Sequence, residues 1–241
     1  MARELCLAIE ISNPSADPGD AGVGPGVALG RVVDGAPART ELLGVEVLAP
    51  DRRHDDDLVP AIDRLFRRLG KRPQDLARVG VSIGPGGFTA LRIAVAAAKM
   101  ICEATGCACA GIPSAEVVAR RVIGAPGLFA VELASKDQTT YVTTFDAAAT
   151  PEAPGRIVSV ADLEGLGISL LVADRFLPPA IRARAAEIGI GVRPPVFDPG
   201  ACLEASVGAP AVDPLDLLPL YPRLPEAVVK WRLLHPERGA P

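Results

Sequence analysis

The stretch that most constrains this chain runs from Val79 to Lys99, VGVSIGPGGFTALRIAVAAAK. Val79, Val81 and Ile83 alternate as in a β-strand, where branched side chains pack well on a pleated surface. Gly84, Pro85, Gly86 and Gly87 then impose a tight turn, and the alanine-rich segment beyond is built of good helix formers. The residues specify strand, turn and helix, with Gly87 or Thr89 as the N-cap. Free N–H groups at such a helix start can receive an anion; the corner serves equally well as plain close packing.

At 241 residues the chain is long enough for one large domain or two small ones. Its 49% hydrophobic and 22% charged residues describe a folded globular protein. A net charge of −4 supplies no basic field for gripping a nucleic-acid backbone, so a nucleic acid would be held mainly through a partner. Lys99 and Glu103 break the longest apolar stretch, and Met1-Ala-Arg-Glu-Leu5 lacks the apolar core of a signal peptide. The expectation is a cytoplasmic protein with no membrane contact. The five cysteines form no disulfide framework, Cys107-x-Cys109 is not a zinc spacing, and His54 and His235 are the only histidines. Buried thiols and no metal site are expected.

Read in order, Leu5–Ile11 is a first strand, Ser12–Pro25 a long Pro/Gly/Asp-rich loop, and Gly26–Val33 and Leu42–Leu48 complete an antiparallel meander. Gly22, Gly24 and Gly26 precede a strand with no lysine after them, so they are no P-loop. From Asp51 to Gly70, Leu58, Ile62, Leu65, Phe66 and Leu69 share one helical face. His54 with Asp55 to Asp57 lacks a second histidine at helical spacing, which argues against a metal cluster. Between Phe88 and Thr105, Ala90, Ala94, Ala97 and Ala98 form a small-residue stripe that another helix could approach closely; burial within the same domain explains it equally. Arg92 is either a contact for a carboxylate or phosphate or a solvated arginine. A strand over Gly106–Ile112 and a helix from Pro113, capped by Ser114, lead to three more strands at Phe129–Leu133, Thr139–Phe145 and Arg156–Val160. One strand (Leu170–Ala173), one helix (Pro179–Gly189) and a last helical turn (Val228–Leu234) follow.

Gly84-Pro-Gly-Gly-Phe-Thr-Ala-Leu-Arg92 resembles the GPGSFTGLR signature of the TsaB (YeaZ) family, with Gly87 for a serine and Ala90 for a glycine. The opening is similar to that family's LAIDTS, with Glu10 for the aspartate and Ile11 for the threonine. The helix after Asp51 resembles its RHSE-LLP segment, and Leu218–Arg223 its terminal P-YLR. Glu132-Leu133-Ala134 departs from the DAR that opens the family's second repeat.

The resemblance implies a two-lobed actin-like ATPase (ribonuclease H-like) α/β fold with a truncated second lobe. The lobes are expected at 1–112 and 113–225, with a tail at 226–241. It implies a subunit without catalytic residues that pairs with a catalytic TsaD-type subunit in making threonylcarbamoyladenosine beside the tRNA anticodon. A TsaE-type ATPase is a further implied partner, tRNA an indirect one, and a homodimer the form when alone. The implied partner surface comprises Leu58, Ile62, Phe88, Ala90, Arg92, Ala94, Ala97 and Ala98, beside the signature turn of Gly84, Pro85, Gly86, Gly87 and Thr89. Glu10 and Ser12 would lie near a nucleotide, with ATP or ADP and magnesium at the partner interface and no metal intrinsic to the chain. The alternatives are an actin-like ATPase or phosphotransferase using Glu10, and a diverged scaffold for another partner.

Overall fold

The computed structural model describes residues 4–13, 23–33, 39–48, 54–125, 127–224 and 226–235. Strands β1 (Leu5–Glu10), β2 (Gly26–Val33) and β3 (Arg39–Val47) form the expected antiparallel meander. Helix α1 (His54–Arg68) leads to β4 (Leu76–Gly84), parallel to β1, and α2 (Phe88–Thr105) leads to β5 (Ala108–Pro113), parallel to β4. The order is β3-β2-β1-β4-β5. After α3 (Ser114–Ala119) the pattern repeats. Strands β6 (Phe129–Lys136), β7 (Thr139–Phe145) and β8 (Arg156–Val158) form a second meander. Strands β9 (Leu170–Ala173) and β10 (Gly191–Arg193), with α4 (Pro179–Glu187) between them, extend it in parallel to give β8-β7-β6-β9-β10. Helices α5 (Pro199–Gly208) and α6 (Glu226–Leu234) end the chain.

Alternation along β1 divides the first lobe into two cores. Leu5, Leu7 and Ile9 point toward α1 and α2, joining Leu58, Leu65, Ala94 and Ala98. Cys6 and Ala8 point the other way, joining Ala28 and Ala110 against Ala201, Cys202 and Leu203 of α5. The residues on this second face are small because α5 lies close to the sheet. A Cβ on Gly80 would overlap the Ser206 side chain, and one on Gly30 would overlap Leu203. In the second lobe, α4 covers one sheet face through Ile181 and Ala185, and α3 covers the other through Ala115, Val118 and Ala119.

Several expectations change. The second lobe keeps all five strands, and its reduction lies in its helical cover. Residues 199–208, assigned by sequence to that lobe, return to the first sheet, so the lobes are not contiguous segments. Strand β10 and α5 were missed altogether. Ser114 does not cap α3; its hydroxyl pairs with that of Ser82 at 2.8 Å. All five cysteines are buried and unbridged, as expected of free thiols in a core. Among the described residues no helix is long and apolar enough to cross a membrane. Gly80→Val, which forces α5 off the sheet, is expected to destabilise the fold by about 1–3 kcal/mol or more in urea unfolding. Unchanged stability would mean that α5 is not held at this distance.

Candidate functional site

The glycine corner is fastened to the end of β1 by Ser12. The Ser12 carbonyl accepts the N–H of Gly87 at 2.7 Å and lies against Gly86 so closely that a Cβ there would overlap it. Gly86 is therefore required by this contact, not by a positive φ, which occurs instead at Gly84 (φ 109°). Gly87 is the N-cap of α2 and makes no side-chain cap bond, while Thr89 stands exposed in the first turn. Pro85 is buried beside them.

Just past the corner, Phe88, Arg92 and Tyr221 form a surface cluster. The Arg92 guanidinium sits 3.7 Å from the Phe88 ring centroid, and its Nε donates to the Tyr221 hydroxyl at 3.2 Å. The Phe88 and Tyr221 centroids are 5.5 Å apart. Arg92 is thus held by its own chain. Tyr221 belongs to a C-terminal strap: Leu220 N–H donates to the Ile83 carbonyl at 2.7 Å, and Arg223 donates to Thr139 Oγ1 at 2.8 Å and to the Ala134 carbonyl. The strap ties the glycine corner to the β6–β7 hairpin of the second lobe. Sequence reading noted its resemblance and had no means of placing it.

The alanine stripe requires a correction. Ala90, Ala94 and Ala98 are buried in the first core, together with Leu58 and Ile62 of α1. Five of the eight residues expected at a partner surface therefore fill this chain's own interior. The stripe is small because α2 crosses the sheet at short range, as ridge-and-groove packing allows. Phe88 and Arg92 remain exposed, and Ala97 half-exposed. The opposite edge of α2 forms an open groove with α1, about 350 Å³ in volume, in which Val59, Ala97, Met100, Ile101 and Ala104 supply apolar surface. Val59 and Met100 are 66% and 71% exposed, large values for such residues.

Two glutamates occupy matching places in the two lobes, on the first strand of each sheet ahead of its hairpin loop. Glu10 is fully buried; its Oε1 accepts from the Ser12 N–H at 2.8 Å and the Ser12 hydroxyl at 2.7 Å, while Oε2 has no partner. Glu132 is also fully buried; its Oε1 accepts from Ser135 at 2.6 Å and from Thr140, and Oε2 again has none. Burial pushes both carboxyls up from the ordinary carboxylate range, against the hydrogen bonds from Ser12 and from Ser135 and Thr140 that draw them down. A magnesium ligand would have to be ionised and reachable. Glu10 and Ser12 do not fit a metal–nucleotide site, and no cluster of three or more metal-ligating side chains occurs among the described residues. Asp57 is committed to a forked pair with Arg64 at 3.0 and 3.1 Å. The side chains of His54, Asp55 and Asp56, and the loop over 14–22, lie outside the described residues.

Residues 44–171 match the family model described as TsaD: tRNA N6-adenosine threonylcarbamoyltransferase. The chain belongs to this family. Its fold is the two-lobed actin-like one of the YeaZ proteins. An uncharacterized protein from Pseudomonas aeruginosa with similarity to peptidase YEAZ superposes with a TM-score of 0.66 at 15% identity, over 92% of this chain and 100% of the other. YeaZ from Pseudomonas aeruginosa gives a TM-score of 0.63 at 15% identity, again over 92% and 100%. No curated protein matches the sequence. Membership of the TsaD family places the chain in the biosynthesis of threonylcarbamoyladenosine in tRNA.

Two outcomes follow from this geometry. Ala94→Trp overpacks a sealed core and is expected to lower stability by about 1–3 kcal/mol or more, read by thermal or urea unfolding; an unchanged melting temperature would return the stripe to the surface. The second concerns pH. Because Glu10 and Glu132 titrate higher when folded, the stability they contribute is full below their unfolded pKa of about 4.3 and falls as pH rises toward the folded values. The Glu10→Gln, Glu132→Gln double variant removes that loss, so its stability relative to the parent is expected to grow as pH rises above about 4.3 and to level off once pH passes the folded values. Parallel pH profiles would contradict it.

Proposed function

We propose that this chain is the non-catalytic companion in threonylcarbamoyl transfer: it pairs with a TsaD-type catalytic subunit, which acts on the adenosine beside the tRNA anticodon. The observation that carries this reading is the α1–α2 groove. It exposes Val59 and Met100 on two adjacent, well-packed helices of the first lobe. A rigid apolar face of this kind loses little conformational entropy when a partner covers it. The two buried glutamates support the same reading, because carboxyls sealed away from solvent serve poorly as general bases or metal ligands. With a net charge of −4, the chain would leave most of the tRNA contact to its partner. No step of the proposal runs through a nucleotide on Glu10 or Ser12.

The test is threonylcarbamoylation of tRNA by the TsaD-type subunit with and without this chain. Activity is expected to depend on its presence, and independence would end the proposal. Met100→Asp would bury an unpaired carboxylate on docking and is expected to reduce the stimulation about tenfold or more, with melting unchanged. Full stimulation by this variant would move the docking face elsewhere.

A further inference from the structure

A second concavity lies where the two lobes meet, about 500 Å³ in volume, the size range of small-molecule sites. One side is built by Pro85 of the glycine corner, Pro113 and Leu220 of the strap; the other by Tyr141, Pro151 and Pro154 of the second lobe. Proline rings and a tyrosine ring present flat apolar faces, which suit a planar ligand.

The charged groups of this cleft are few and of one sign. Glu116 and Glu152 bring carboxylates, and no lysine or arginine lines it. Glu116 sits on α3, half-buried, and none of the described residues donates a hydrogen bond to its carboxyl. Arg120, four residues further on, is the cation that acts on it. The Tyr141 and Thr143 hydroxyls likewise have no partner among the described residues. Burial pushes the Glu116 carboxyl and the Tyr141 phenol upward, and Arg120 draws the carboxyl back down. These groups together offer acceptors to N–H donors. Two carboxylates without a lining cation disfavour phosphate or any other anion.

We propose that this cleft binds a small planar cation, such as an aryl amidine or a protonated amino-heterocycle, with its ring against the proline wall and Tyr141 and its N–H groups on Glu116. Gly155 is part of the design. A Cβ there would overlap the Tyr141 phenol and the Thr143 hydroxyl, so only glycine lets that ring lie where it does. The site stands apart from the α1–α2 groove and does not depend on the partner reading.

Benzamidine titrated into the full chain by calorimetry tests the assignment. Saturable one-to-one binding is expected. Glu116→Gln, which keeps the shape and removes the charge, is expected to weaken it about tenfold or more. Gly155→Ala, which displaces Tyr141, should weaken it as well, and Asp216→Asn, a surface carboxylate elsewhere, should leave it unchanged. Benzamide, with the same ring and no charge, should bind more weakly, and magnesium-ATP should not displace benzamidine. Absence of saturable binding, full affinity in Glu116→Gln, equal affinity for benzamide, or displacement by ATP would each overturn the proposal.

Discussion

One carbonyl group orients the functional half of this molecule. The oxygen of Ser12, just past the end of β1, accepts the Gly87 N–H at 2.7 Å and lies against Gly86. This fixes the start of α2 against the first strand of the sheet. Everything downstream inherits that orientation. The alanine face of α2 turns inward over Leu7 and Ile9, and Met100 turns outward beside Val59. A side chain at Gly86 would push the two apart and rotate both faces.

The same corner anchors the rest. The C-terminal strap bonds to Ile83 just ahead of it, packs Tyr221 on Phe88, and reaches the second lobe through Arg223. The cleft at the lobe junction has Pro85 of the corner as one wall. Two surfaces of different character therefore sit on this frame. The acidic, proline-walled cleft adjoins the turn, and the apolar groove lies toward the far end of α2, beside Pro73 and Gln74. The carboxyls of Glu10 and Glu132 stay out of both, being fully buried.

Much of this was legible in the residues. The short runs of apolar and β-branched residues at β1, β2, β7 and β9 announce strands because turn residues bound them, and α2 is bounded by Gly87 and Gly106. Helix α5 was not legible. Its sequence, PGACLEASVG, is small and apolar on every side, since it is buried on nearly all faces and so carries no amphipathic period. Its partner residues, Gly80 and Gly30, have no side chain to announce the neighbour that lies against them. The alanine stripe misled for a related reason: small residues permit close approach without saying to what, and here the neighbour is this chain's own sheet. The exposure of Val59 and Met100, by contrast, is visible only in the structure's burial pattern. The cleft at the lobe junction joins segments drawn from between Pro85 and Leu220, and sequence spacing does not report that meeting.

The central claim is that the outer groove of α1 and α2 is the face a catalytic partner covers, while the alanine face stays sealed within the fold. Amide hydrogen exchange, compared for the chain alone and mixed with a TsaD-type subunit, reads this directly. The account predicts new protection concentrated over residues 57–62 of α1 and 96–105 of α2, with amides of β6–β8 unchanged. Protection confined to the second lobe, or none at saturating partner, would contradict it.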